Sequence, residues 1–453
     1  MKESINRKIS DQCERILYAL LLLLVFEGIL RKAFPALSNP IFFLKDILCV
    51  IIVFKIAGSK FPDVITKLKS LWFILFILFL PILHFTSFKD PVLAVFACKQ
   101  YLLYIVIGVA VAVAFPIYKE QNFRRFIFFT SLMIIPTTLV AVLQNSLPSS
   151  HWINLSVGGD SLEAFSAGGY LRVSSTFSFT AQYSWFLIAE SFFLAASFFM
   201  PPKEFSWLKT GLLPLVFSVL GLMLAISAFI TGGRTAVLGC ASTILLGFLL
   251  IAARRPGWFF KGALVISFCA IILSAVRTVK PEFFMAYDER SSGTESLTHS
   301  EEIINRILGG FTEWVDWFTD QDLISIWFGN GLGIMSNGAA AVSSYASEIR
   351  QSGFWTEGDV ATTFWEGGIY LAVIWYGFRL SMIFLSYRLW RMLKNKTLAS
   401  AASVPFAYVC IQGLTAQFGI QSPLSIWWWL AIGIIIFLAR YERYKNGVNI
   451  ETN

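Results

Sequence analysis

Charge is scarce in this sequence: only 14% of its 453 residues are Asp, Glu, Lys or Arg, while 56% are hydrophobic. A soluble domain carries about 25% charged residues, so an ordinary solvated globule is excluded. Histidine is scarcer, with three copies. The six cysteines, at 13, 49, 98, 240, 269 and 410, fall in or beside apolar runs without metal-ligand spacing, and read as small buried hydrophobes. There is no HExxH, GxxxxGK[ST] or GxGxxG motif, so zincin, P-loop and dinucleotide chemistry have no signature here. Neither a solenoid repeat nor a pair of interrupted helices of the inverted-repeat transporter kind is visible. The first apolar segment has no small-residue cleavage site and runs directly into Arg31 and Lys32, which marks an uncleaved first span rather than a signal peptide.

What the chain does have is apolar sequence in runs of bilayer-spanning length. About twelve spans are expected, near 16–34, 41–58, 71–88, 93–117, 126–145, 182–200, 211–230, 235–253, 258–278, 362–386, 399–418 and 423–440. The predicted class is an all-α polytopic membrane protein. A membrane bundle covers 1–278, a large loop 279–361, and closing helices with a C-terminal tail 362–453.

The net charge of +8 reflects where the basic residues lie, and no nucleic-acid partner is expected. Arg7, Lys8 and Arg15 precede the first span, and Lys55, Lys60, Lys67 and Lys69 follow the second. Lys119, Arg124 and Arg125, Lys203 and Lys209, Arg254 and Arg255, Arg388 and Arg391, and Arg440 and Arg443 occupy every second loop thereafter. They share one side, which the positive-inside rule makes cytoplasmic together with both termini.

The opposite side holds two segments longer than a connection needs. Residues 146–181 are polar and rich in Gly and Ser; 279–361 amount to roughly eighty residues, and loops of that length are usually functional or disordered. The second repeats apolar residues at helical spacing from Ile303 to Phe318, the pattern of an amphipathic helix lying on the bundle or on the membrane surface. Trp327-Phe328-Gly329-Asn330-Gly331-Leu332-Gly333 follows, a tight turn or a close backbone approach by its glycines.

Chemistry, if present, is therefore expected on the outer side. Arg172, in Leu171-Arg172-Val173-Ser174-Ser175-Thr176-Phe177, precedes the sixth span; Arg234, in Thr231-Gly232-Gly233-Arg234-Thr235, precedes the eighth. A guanidinium stays charged and matches phosphate oxygens bidentately, and adjacent glycines let a ligand reach the backbone. Two such arginines make a candidate pyrophosphate clamp. Each alternatively snorkels to lipid headgroups or pairs with an acid. Glu357, Asp359 and Glu366 form an acidic group at the end of the long loop; a carboxylate entering a membrane is paired or functional, and a desolvated one can exchange protons. Arg290 and Arg306 in the loop are candidate supporting cations beside Glu366. His299 reads as an exposed helix start, and His84 and His151 have no evident partner. Asp46, Lys99 and Glu190 lie within spans and read as structurally paired. Trp427-Trp428-Trp429 reads as an interfacial or packing cluster.

Taken together, Arg172-Val173-Ser174-Ser175-Thr176-Phe177, Thr231-Gly232-Gly233-Arg234-Thr235-Ala236, Gly329-Asn330-Gly331-Leu332-Gly333 and the Glu366-x-Gly368 closing motif resemble the O-antigen polymerase and O-antigen ligase superfamily. Those proteins are bacterial inner-membrane glycosyltransferases of the GT-C type. Phe26-Glu27-Gly28-Ile29-Leu30-Arg31-Lys32, with Asp46, resembles one subgroup. The resemblance implies that Arg172 and Arg234 bind the pyrophosphate of an undecaprenyl-linked glycan donor, without metal or cofactor and with inversion at the anomeric carbon. It also implies an acceptor glycan or lipid as second substrate, surrounding membrane lipids, and a flippase and chain-length regulator as partners. Many members carry a histidine shortly before the closing glutamate, held to deprotonate the acceptor hydroxyl. Here that position is Glu357, so Glu357 or Asp359 is the candidate proton acceptor. Polymerisation of lipid-linked repeat units is favoured over ligation to lipid A-core. A lipid-linked glycan flippase or carrier, and a non-catalytic assembly factor, are the alternatives outside glycosyl transfer.

Overall fold

The computed structural model describes residues 2–57, 63–160, 166–205, 212–292, 299–318, 321–352, 356 and 358–447. The described chain is helical. In order come α1 (Lys2–Ala33), α2 (Ser38–Ala57), α3 (Asp63–Lys89), α4 (Pro91–Leu102), α5 (Val106–Ala114), α6 (Glu120–Ser131), α7 (Ile134–Ser146), α8 (Thr180–Phe199), α9 (Leu212–Ile230), α10 (Arg234–Arg254) and α11 (Trp258–Val279). The long segment after α11 supplies α12 (Met285–Ser291), α13 (His299–Phe318), α14 (Leu323–Phe328) and α15 (Ser344–Gln351), and α16 (Asp359–Met392), α17 (Lys396–Thr415) and α18 (Ser422–Lys445) close the chain. The sole β feature among the described residues is an isolated bridge between Ala167 and Tyr170.

Nine helical stretches among the described residues are long and apolar enough to cross a membrane, and the protein is a multi-pass membrane protein. α1, α2 and α8 are also long, but each carries ionisable side chains away from its ends or in its last turns: Glu27, Arg31 and Lys32; Lys45 and Asp46; Glu190. Two expected spans are broken. The fourth is α4 and α5 joined by a 3-10 turn at Leu103–Ile105, and the fifth is α6 and α7 separated at Leu132 and Met133.

The centre of the bundle is α5, α8, α17 and α18. Every residue of α5 is buried, and α18 is buried from Leu424 to Glu442, whereas α11 lies at the edge and turns most of its surface outward. The tryptophan run of α18 is a packing cluster, not an interfacial belt. Trp427 meets Phe186 and Phe193 of α8, Trp428 meets Phe418, and Trp429 meets Phe378. Burying such rings brings large apolar area together.

The expected tenth span is present in α16, and a short N-terminal arm of that helix folds back against it to make a hairpin. Asp359 and Arg379 form an ion pair across 20 residues, and the Tyr376 hydroxyl donates to Asp359 Oδ2 at 2.6 Å. An unbroken helix would hold residues that far apart by roughly 30 Å. The fold back occurs at Gly368, with φ 61° and ψ −160°, a conformation essentially restricted to glycine. α13 packs on the hairpin's first arm: Trp314 stacks on Phe364 at 4.2 Å, and a Cβ on Gly358 would lie 3.1 Å from the Gly310 backbone. The amphipathic helix thus lies on the bundle, with Ile304, Leu308, Phe311 and Val315 turned away from it.

Candidate functional site

The 172–178 segment is held from one side by α1. The Ile29 amide donates to the Thr176 carbonyl at 2.8 Å, and the Thr176 hydroxyl donates to the Val25 carbonyl. Gly28 lies so close that a Cβ there would sit 1.9 Å from the Phe177 carbonyl carbon. Lys32 donates to the Ser174 hydroxyl at 3.2 Å, and Arg31 to the Ser178 hydroxyl at 3.3 Å. The two motifs singled out separately, at 26–32 and 172–177, are therefore one docked unit.

The segment presents Arg172 to the turn between α9 and α10. Gly232 has a positive φ of 61°, which reverses the chain so that Gly233 caps α10 and Arg234 begins it. A Cβ on Gly232 would meet the Arg172 side chain at 3.2 Å, and one on Gly233 would lie 3.8 Å from Arg172 Nη2. Arg172 thus reaches the Gly232-Gly233 turn at the N-terminal end of the helix that Arg234 begins, where backbone amides and the helix dipole favour an anion. Thr231 and Ser184 add hydroxyls at 3.3 and 3.2 Å from that same Gly233 position. α12 covers the turn: Ala286 lies 2.8 Å from the Gly232 Cβ position. Arg290 is four residues further and so on the same helix face. Arg306 lies on α13, and its side chain is outside the described residues.

The two described members of the acidic group, Asp359 and Glu366, have different partners. Glu357 lies outside the described residues. Asp359 begins the hairpin, buried, with Oδ2 bonded by Arg379 and Tyr376. Arg379 is fully buried and also donates to the carbonyls of Gln412, Gly413 and Ala416. Carbonyls at a helix C-terminus lack intrahelical donors and attract a cation, so Arg379 joins the end of α17 to the start of α16. Glu366 is fully buried and makes no ion pair among the described residues. Its Oε2 accepts from the Tyr101 hydroxyl at 2.5 Å and its Oε1 from the Met335 amide at 2.8 Å. The Asn330 and Gly331 amides bond to the Trp365 and Glu366 carbonyls. The glycine-rich turn after α14 is therefore wrapped on the hairpin tip, and Glu366 holds the two together.

α4 connects this region to a buried charge network. Gln100 donates to the Ser336 hydroxyl at 2.6 Å. Asp46 pairs with Lys99 at 2.8 Å and accepts from Tyr104; Glu27 pairs with Arg31 at 3.1 Å and with Lys45 at 2.9 Å. Asp90 caps α4 through the Val92 and Leu93 amides and accepts from Ser343, which itself caps α15. Burial pushes the Asp90 carboxyl up, but the Ser343 hydroxyl and the Leu93 and Val92 amides outweigh it and hold the group below the usual aspartate value. Glu190 is fully buried, and its carboxylate has no hydrogen-bond partner among the described residues.

Sequence reasoning missed Arg379, Lys45, Tyr101 and Tyr376. Arg379 carried a signal, as a lone arginine inside an apolar run; the tyrosines carried none. No family model matches this chain, and no curated protein matches it.

Proposed function

We propose that this chain is a membrane glycosyltransferase that polymerises undecaprenyl-pyrophosphate-linked oligosaccharide repeat units. In this reading it crosses a bacterial inner membrane twelve times with both termini cytoplasmic, and it works at the periplasmic face. What carries the reading is the meeting of Arg172 with the Gly232-Gly233 turn that precedes Arg234, an arrangement suited to a pyrophosphate. Arg290, on the α12 face that covers the turn, is the supporting cation.

In the reaction an acceptor sugar hydroxyl attacks the anomeric carbon of the donor glycan, and the bond to the pyrophosphate oxygen breaks with inversion. Undecaprenyl pyrophosphate leaves with the bonding pair. Arg172 and Arg234 stabilise the negative charge that develops on it, which lowers the barrier because they are already in place. The hydroxyl proton passes to a carboxylate. Because Arg379 and Tyr376 already occupy Asp359 Oδ2, Glu357 is the preferred acceptor, with Asp359 fixing the segment that carries it.

The experiment is turnover of purified Arg172→Ala and Arg234→Ala proteins on a lipid-linked repeat unit. Each is expected to lose about 10²–10³ in kcat, the usual effect of removing one preorganised charge-stabilising donor. Full turnover in both variants overturns the clamp. Glycan transfer to lipid A-core without chain growth assigns a ligase, and transport across vesicles without transfer assigns a carrier.

A further inference from the structure

Where α1, α2 and α4 come together, more positive than negative charge is buried. Arg31, Lys32, Lys45 and Lys99 are buried or nearly so, and they face two carboxylates, Glu27 and Asp46. The ion pairs of these six residues, among the described residues, run only among themselves, which leaves a surplus of two cations. Lys45 and Lys99 are accounted for. Each has a carboxylate, and each lies against aromatic rings, Lys45 at 3.8 Å from the Phe42 ring centre and Lys99 within 5.2 Å of the Phe42, Phe43 and Phe96 ring centres. Lys32 is not: among the described residues its ammonium has only the neutral Ile153 carbonyl at 2.9 Å and the Ser174 hydroxyl at 3.2 Å. Arg31 beside it shares Glu27 with Lys45 and reaches the Ser38 and Ser178 hydroxyls at 3.1 and 3.3 Å. A buried cation without a counter-charge is unfavourable unless an anion completes it.

We propose that Arg31 and Lys32, with the hydroxyls of Ser38, Ser174 and Ser178, form a second anion site, on the α1 side of the 172–178 segment, which takes the phosphate of a membrane lipid. The site is built for phosphate: a guanidinium and an ammonium stand among three hydroxyls, groups that donate to phosphate oxygens. Leu30, Phe34 and Leu37, close to Arg31 and Lys32 in sequence, have exposed side chains and give an acyl or isoprenyl chain an apolar surface to follow. The occupant is thus an amphiphile with a phosphate head, either a phospholipid or a second polyprenyl pyrophosphate. The site does not depend on the reaction proposed above.

Native mass spectrometry of the full-length protein in detergent tests it, with phosphatidylglycerol, a polyprenyl pyrophosphate and uncharged diacylglycerol as probes. The wild-type protein is expected to retain the first two and release the third. Lys32→Gln keeps a donor for Ile153 and Ser174 but removes the charge. Ser178→Asp supplies an internal carboxylate to Arg31. Each should weaken retention of the phosphate lipids roughly tenfold, the effect of losing one charge-assisted bond. Stronger retention of the pyrophosphate assigns a second substrate molecule; equal retention of both assigns a lipid headgroup. Wild-type retention in both variants, diacylglycerol held as firmly as phosphatidylglycerol, or loss in Arg172→Ala alone overturns the proposal. Should Lys32→Gln fail to fold, Ser178→Asp decides by itself.

Discussion

Asp359 and Arg379 show how one ion pair can serve two elements unequally. Removing Asp359 leaves Arg379 with three carbonyls of α17 still to bond. Removing Arg379 leaves a buried carboxylate with only the Tyr376 hydroxyl and takes the guanidinium from those carbonyls. Breaking a buried pair costs about 3–5 kcal/mol, because one charge stays behind uncompensated. Arg379→Ala is therefore expected to lower the melting temperature of the purified protein more than Asp359→Ala does. Asp359→Asn separates structure from chemistry, since its amide oxygen still accepts from Arg379 and Tyr376. If Glu357 accepts the proton, Asp359→Asn keeps its turnover while Glu357→Gln loses about 10²–10⁴, the range for a general base. The reverse pattern would move the base to Asp359. The sequence marked both acids as candidates but could not pair one of them, because the partner sits in the second arm of a hairpin that sequence reads as a single span.

That hairpin is where elements were least legible. The apolar run through 362–386 is continuous, and both arms are helical, so hydropathy and periodicity agree on one crossing. The one mark of the reversal is the Gly367-Gly368 pair. The Arg172 and Arg234 motifs were easier, since each combines an unusual charge with turn residues at a span end. The approach of Arg172 to Gly233 still needed the docking of 172–178 on α1, which is long-range. At Gly368 an added Cβ would lie 2.4 Å from the Ile326 carbonyl oxygen, and the backbone conformation itself costs a non-glycine residue roughly 1–3 kcal/mol. Gly368→Ala should thus release the hairpin tip from the turn after α14 without unfolding the bundle. Amide exchange is expected to quicken over 326–336 and 359–367, while α17 and α18 keep their protection. Unchanged exchange over both stretches would mean that Glu366 and Tyr101 hold the tip without the turn.

Taken whole, the molecule divides its ionisable side chains by function. At the end carrying Lys119, Lys203 and Lys394 the charges close short loops: Lys119 pairs with Asp11 and Glu14, Arg125 with Glu204, and Glu442 accepts from the Lys394 and Asn395 amides. At the other end lie Arg172, Arg234, the hairpin and the buried network of α1, α2 and α4. Such a division has a consequence for orientation. Loops rich in Lys and Arg are expected in the cytoplasm, an orientation that would open the arginine pair to the opposite compartment, as the proposed reaction requires. Single cysteines in a background lacking the native six test this, placed at exposed positions of opposite loops. Ser150→Cys and Ser344→Cys should react with a membrane-impermeant maleimide on intact cells. Lys203→Cys and Lys394→Cys should react only after permeabilisation. If Ser344→Cys instead labels together with Lys203→Cys, the large loop shares the side of the basic loops. The arginine pair could then not be a periplasmic site, however well its geometry suits a pyrophosphate.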